Sequence, residues 1–291
     1  MIKISRRENW IILTVLFLII FDIFIWKEIL FNALNKNSEL YFLDVGQGDS
    51  ELIILPDEIK ILIDAGPNNK ILSQIDSIFS PFKRYLDIAI ISHAEADHFT
   101  GLIDVLKRYQ VGAFIFNGQK RDSLSFKELE KTLQENKVAT VILKEGDKIK
   151  YKDNYFEVLS PTTNLLQGND LNNASLVIKA NIQGVKVLFT GDIGDLIEKQ
   201  LIEKYDLNID ILKVGHHGSK FSSSLEFLKE TFPQIAIIEV GKNSYGHPTS
   251  EVLNKLSLIN AHIFRTDIDG TIKIIIGDNK NIDILKGKFE F

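Results

Sequence analysis

Three apolar runs in this chain stop abruptly at residues that bind metals, and that pattern limits the folds open to it. The run 88–92 leads into His93-Ala94-Glu95-Ala96-Asp97-His98, the run 185–190 into Gly191-Asp192, and the run 209–214 into Gly215-His216-His217-Gly218. Short apolar stretches of this length read as buried strands. Strand ends are rigid and project side chains into one crevice, which is where sites gather in α/β folds. His93, Glu95, Asp97, His98, Asp192, His216 and His217 are therefore candidate ligands for a divalent ion. Imidazole nitrogens and carboxylate oxygens bind Zn²⁺ or Mn²⁺ at about 2.0–2.2 Å, and such ions lower the pKa of bound water. The expected chemistry is hydrolysis with one or two ions.

Each cluster also has a plainer reading. The first is compatible with a polar turn that caps a helix at Asp97 or Thr100. A strand ending in Gly-Asp is by itself an ordinary turn. Adjacent histidines cannot both point the same way, so one of His216 and His217 is expected as ligand and the other behind it or facing substrate. Cysteine is absent, which excludes disulfides, Cys-ligated zinc and a thiol nucleophile. Net charge is −5. A nucleic-acid partner therefore needs a local basic groove, expected from Lys213, Lys220 and Lys242, whereas a small-molecule enzyme needs a closed apolar pocket.

Ahead of these motifs, 10–26 is a seventeen-residue stretch, WIILTVLFLIIFDIFIW, with Asp22 as its one ionisable group and an apolar extension to Phe31. That length suits a bilayer crossing. Lys3, Arg6 and Arg7 favour an N-terminus held in the cytoplasm, and Trp at both ends suits the headgroup belt. The expected organisation is a cytoplasmic N-terminus (1–9), a transmembrane anchor (10–31), a linker (32–39) and an extracytoplasmic domain (40–291). A cleaved signal peptide and a buried core helix are the competing readings. From residue 40, strands are expected at 40–45, 51–55, 60–63, 88–92, 113–116, 138–143, 156–159, 175–181, 185–190, 209–214, 235–239, 261–264 and 271–276. Helices are expected at 70–78, 100–109, 125–135, 193–205, 223–232 and 250–259. The rhythm repeats after about residue 150, as two similar halves packed sheet against sheet would require.

Seven motifs in order resemble the metallo-β-lactamase superfamily, and within it the metallo-hydrolase domain of ComEC-type DNA-uptake proteins. They are Asp44-Val45-Gly46-Gln47-Gly48-Asp49-Ser50, Ile63-Asp64-Ala65-Gly66, the 93–98 cluster, Asn172-Asn173-Ala174-Ser175-Leu176-Val177, 189–192, 216–219 and Tyr245-Gly246-His247-Pro248. The resemblance spans about 40–276 and implies an αββα sandwich, two mixed sheets flanked by helices, with metal at one edge. It implies His93 at a first ion, Asp97 and His98 at a second, Asp192 bridging, and His216 or His217 completing the second site. The chain departs from the dizinc pattern at Glu95, where a second His usually sits. It also has no histidine between His98 and His216, offering Asn172, Asn173 and Ser175 instead, an oxygen-rich set that favours Mn²⁺ or Mg²⁺ over zinc.

Asp44, Asp49, Asp64, Asn173 and Ser175 are expected behind the ligands or against substrate. His247 is expected to donate to a phosphate oxygen or protonate a leaving group. The resemblance implies a membrane-anchored phosphodiesterase or nuclease acting on DNA, with a DNA-uptake channel protein as partner. The alternatives are a hydrolase of a small phosphoester, thioester or lactam, and a non-catalytic binding module.

Overall fold

Successive apolar residues of one strand serve two different cores. Leu40 and Phe42 enter one and Tyr41 and Leu43 the other, because side chains alternate across a strand. Strands buried on both faces read as nearly continuous apolar runs, and that is how this sequence reads. The structure, a computed structural model, describes residues 6–34, 37–80 and 82–287.

In chain order come α1 (Arg6–Leu34), β1 (Ser38–Phe42), β2 (Glu51–Leu55), β3 (Ile59–Ile63), α2 (Lys70–Asp76) and β4 (Tyr85–Ile90). They are followed by α3 (Ala96–Arg108), β5 (Gln110–Phe116), α4 (Leu124–Glu135) and β6 (Ala139–Ile142). The second half holds β7 (Lys148–Tyr151), β8 (Asn154–Ser160), β9 (Val177–Ile182), β10 (Val185–Phe189), α5 (Asp195–Lys204) and β11 (Ile211–Lys213). Then come α6 (Leu225–Thr231), β12 (Ile235–Ile238), α7 (Ser250–Leu258), β13 (His262–Arg265), α8 (Thr266–Asp269), β14 (Thr271–Ile276) and β15 (Ile282–Gly287).

Eight strands form the first sheet in the order β15-β14-β1-β2-β3-β4-β5-β6, and seven form the second in the order β13-β12-β11-β10-β9-β8-β7. Both are mixed. β3 to β6 run parallel, as do β10 to β13, while β1, β2 and β14 pair antiparallel. The sheets pack face to face through Phe42, Ile53, Ile63, Val187, Phe189 and their neighbours. The rings of Phe42 (β1) and Phe189 (β10) lie 6.4 Å apart across that core. Buried residues of α2, α3 and α4 cover the outer face of the first sheet, and those of α5, α6 and α7 the outer face of the second. This is the expected αββα sandwich.

Three local differences have physical causes. β7 and β15 alternate lysine or aspartate with apolar residues and are half exposed; they are edge strands, where charge is favoured, and no apolar run announces them. β14 returns to pair with β1, with Ser38 opposite Ile276, so the second half closes the first sheet. And α3 begins at Ala96, not at residue 100, which moves Asp97 and His98 from a loop into a helix's first turn.

Among the described residues, one helix is long and apolar enough to cross a membrane, over Asn9–Lys27 of α1, and none of that window is buried in the chain. Trp10 is 70% exposed and Phe17 66%, which sets aside the core-helix reading. Lys3 of the charge reading, and residues 35–36 of the expected linker, lie outside the described residues.

Candidate metal centre

One edge of the sandwich collects the chemistry, and the strand directions explain why. β3, β4, β10 and β11 all point their C-terminal ends to it, and Asp64, His93, Asp192 and the Gly215–Gly218 turn follow directly. β2 runs the other way, with Glu51 opposite Ile63, so Asp49 reaches the same edge from the strand's start. Asp97 and His98 project from the first turn of α3. The chain passes so close there that a Cβ on Gly48 would stand 2.2 Å from the Asp97 carbonyl oxygen; only glycine fits.

Asp192 is the meeting point. Its Oδ2 lies 3.3 Å from His98 Nε2, 3.7 Å from His217 Nε2 and 3.8 Å from His216 Nε2. Asp97 Oδ2 lies 3.3 Å from His217 Nε2, and Asp97 Oδ1 4.0 Å from His98 Nε2. Among the described residues five donor groups have their ligand atoms within 4.8 Å of one another; two of them, His93 with His98 and Asp192, and Asp97 with His98 and His217, overlap at His98, and the other three all include Asp49, whose carboxylate Lys213 already pairs. Nε2 of His93, His98 and His217 and Oδ1 of Asp192 are buried without a hydrogen-bond partner. Orphaned buried polar atoms are costly, and each of these belongs to a group whose donor atoms lie close enough to share a divalent cation; the donor set fits such an ion.

The imidazoles are fixed from behind, as metal-binding histidines are. His98 Nδ1–H donates to Asp64 Oδ2 at 2.8 Å. Asp64 in turn accepts from the Ser92 amide at 2.7 Å and hydroxyl at 2.6 Å, leaving the Ser92 oxygen to receive His93 Nδ1–H at 3.0 Å. His217 Nδ1–H donates to the Glu239 carbonyl at 2.9 Å and sits 3.1 Å from Asp49 Oδ1. Ser175 Oγ accepts the Asp192 amide at 3.2 Å and donates to Asn172, while Asn173 Oδ1 accepts the Gly194 amide at 3.0 Å. Ser175 and Asn173 therefore shape the Asp192 loop. Asp44 stands apart, paired with Lys70 at 2.7 Å, and holds its turn rather than the centre.

Charge explains the protonation of these groups. Burial disfavours an imidazolium at His98 and His217, but Asp192 with Asp64 and Asp49 outweighs it: His98 rises well above its usual value and His217 is pushed up to about 10. Burial and the facing His98 ring push His93 down to about 3. Burial also opposes ionisation of Asp192, yet His217, His98 and Lys213 hold its carboxyl well below the ordinary range. Behind them, burial raises both Glu51 and Glu239, helped at Glu51 by the charges of Glu239 and Asp49 and at Glu239 by that of Asp49.

Two expectations need correction. Glu95, expected among the ligands, belongs to neither group: at the helix entrance its carboxylate is taken by Arg121. Lys213, expected in an exposed groove, is fully buried and ion-paired with Asp49; Lys220 and Lys242 are exposed. The two histidines divide as their geometry demands. His217 is buried and faces the donor groups, while His216 is 31% exposed and lies ring to ring with His247 at 5.7 Å. His247 Nδ1 is buried without a partner, and burial together with His216 and His217 lowers its pKa.

The family described as Beta-lactamase superfamily domain matches residues 60–217, more than half of the chain. The chain belongs to the beta-lactamase superfamily. Within it, ComE operon protein 3 of Bacillus subtilis (strain 168) is 32% identical over 266 residues, covering 84% of this chain and 34% of that protein. Competence protein ComA of Neisseria gonorrhoeae is 31% identical over 238 residues, covering 80% of this chain and 32% of its own length. The chain thus spans about a third of the curated relatives it matches. The metallo-beta-lactamase fold protein YhfI of Bacillus subtilis shares the fold, with a TM-score of 0.53 at 13% identity over 87% of this chain and all of that one. The superfamily fold implies divalent metal, and the donor groups above are the candidate sites for it.

Replacing Asp64 by Asn tests the support behind His98, since Asn tolerates the left-handed backbone of that position (φ 54°). Metal affinity, measured by competition with a chromophoric chelator, is expected to fall about 10–100-fold; an unchanged affinity contradicts the role. A second test uses pH. In chelator-treated protein, the raised His217 contributes stability that is complete below its unfolded value of 6.5 and lost as pH rises through about 10. Urea unfolding across that window should show a decline that His217→Gln reduces, and an identical pH slope in the variant contradicts the assignment.

Proposed function

We propose that this chain is a membrane-anchored, extracytoplasmic phosphodiesterase that acts on DNA. The anchor is 10–31, preceded by a cytoplasmic 1–9 and followed by a linker at 32–39 and the catalytic domain at 40–291. The observation that carries the reading is the position of Asp192, with imidazoles from both halves of the sandwich within 3.8 Å of one carboxylate oxygen. In this reading His93, His98, Asp97, Asp192 and His217 hold one or two ions, Zn²⁺ or Mn²⁺. A bound divalent ion supplies Lewis acidity at phosphorus and a more acidic water.

The chain's own residues do the rest. Asp64, Ser92 and the Glu239 carbonyl keep the three Nε2 atoms aimed inward. His216 and His247 extend from Asp192 toward solvent, where the neutral His247 ring donates an N–H to a phosphoryl oxygen or the leaving group. The name of one relative, Competence protein ComA, supports DNA as substrate and a DNA-uptake channel protein as partner. A hydrolase of a small phosphoester, thioester or lactam calls for a closed apolar pocket at the centre; one apolar cavity of about 240 Å³ lies away from it, between β5, β6 and α4, against Phe114, Phe126 and Leu129.

Asp97→Ala and Asp192→Ala are each expected to lower metal-dependent cleavage of a DNA oligonucleotide by about a thousandfold or more, with far-UV circular dichroism unchanged. Full activity in either variant refutes the site.

A further inference from the structure

A polar cleft of about 670 Å³ lies at the same edge of the sandwich as the metal centre, walled by the loop after β5 and by 166–171. Topology fixes its neighbourhood. β4 and β5 run parallel with Ile90 beside Ile115, so the loop after β5 leaves the sheet next to the His93–His98 turn. β9 starts against the end of β10, Ile178 beside Phe189, so the segment before β9 meets the Asp192 loop. Arg121 completes the link by pairing with Glu95, which stands between His93 and Asp97 in sequence.

The walls are held by specific bonds. Gln119 Nε2 donates to the carbonyls of Leu166 at 3.1 Å and Gly168 at 3.0 Å, and Asn117 Nδ2 to that of Ala174 at 2.7 Å. Gln119 Oε1 is buried without a partner. Of the charged residues in the cleft, Lys120 and Asp122 pair with Glu130 and Lys127 of α4 at 2.5 and 2.6 Å. Arg121, 42% exposed at its side chain, is the cation on the metal side. A guanidinium carries five donors in a planar fork that suits phosphate oxygens, so one carboxylate does not exhaust it.

We propose that this cleft binds the sugar-phosphate backbone of the nucleic-acid strand flanking the scissile bond, with Arg121 as its positioning residue. The proposal rests on the phosphodiesterase reading above. In a chain of net charge −5, a polyanion must be met by a local cation at the centre's rim. Glu95 has a use in this arrangement: it holds the guanidinium at the metal loop before a strand arrives and yields part of it to a phosphate afterwards.

The full chain in detergent micelles and its Arg121→Ala and Arg121→Lys variants are compared on a fluorescein-labelled oligothymidylate and on bis(p-nitrophenyl) phosphate. Arg121→Ala is expected to lower the ratio of kcat/KM on the oligonucleotide to that on the small diester by about tenfold. Oligonucleotide anisotropy in EDTA should weaken, with a salt slope smaller by about 0.7, one single-strand phosphate contact, and Arg121→Lys should keep that slope. Equal losses on both substrates, or an unchanged ratio and slope, overturn the proposal, the former because Arg121 then acts through Glu95 on the metal loop. If the unmodified chain cleaves neither substrate with Mn²⁺ or Zn²⁺, the phosphodiesterase reading fails, and the anisotropy slope alone decides whether the cleft holds a strand.

Discussion

A buried ammonium holds this site together. Lys213, fully inaccessible at the end of β11, pairs with Asp49 beneath the donor groups, lies 3.8 Å from Asp192 Oδ1 and donates to the Gly191 carbonyl at 3.1 Å. Charges in such a place are expensive, and removing one partner of a buried pair typically costs about 3–5 kcal/mol because the other remains uncompensated. The pair therefore fixes the Asp192 loop, and Asp49 in turn reaches Nδ1 of His217 at 3.1 Å and of His98 at 3.6 Å. One cation from the second half and one carboxylate from the first thus set the positions of ligands from both. The Glu51–Glu239 pair, raised by the same burial, keeps protons and spares the site further negative charge.

The functional edge was legible in the sequence because burial and ligation use different residue types. Apolar runs had to be strands, and His or Asp directly after them had to sit at strand ends. His93, Asp97, His98, Asp192 and His217 lie together in the two donor groups that overlap at His98. What it missed were charged residues that burial conceals. Lys213 stands in Ile-Leu-Lys-Val-Gly at the end of an apolar strand, where a lysine is either an exposed break or a buried counter-ion; Ile211 and Leu212 before it and Val214 after it were the available signal. Glu51 and Glu239, each at the end of an apolar run, gave the same signal. Glu95 misled because spacing along a turn does not reveal which way a side chain faces, and Arg121, 26 residues later, decides it.

The architecture separates the groups that back the imidazoles from those that face solvent. Backing bonds from Asp64, Ser92, Asp49 and the Glu239 carbonyl all come from buried strand ends, where nothing moves without breaking a sheet. The groups that face solvent, His216, His247, Glu95 and Arg121, come from loops and a helix entrance. Loops change more readily than the strands that carry them.

Anomalous diffraction from crystals of the domain grown with Mn²⁺ or Zn²⁺ tests the central claim most directly. The account predicts one or two peaks at the sandwich edge, each about 2.0–2.2 Å from nitrogen or oxygen atoms of His93, His98, Asp97, Asp192 or His217. A peak held elsewhere, or none at saturating metal, contradicts it.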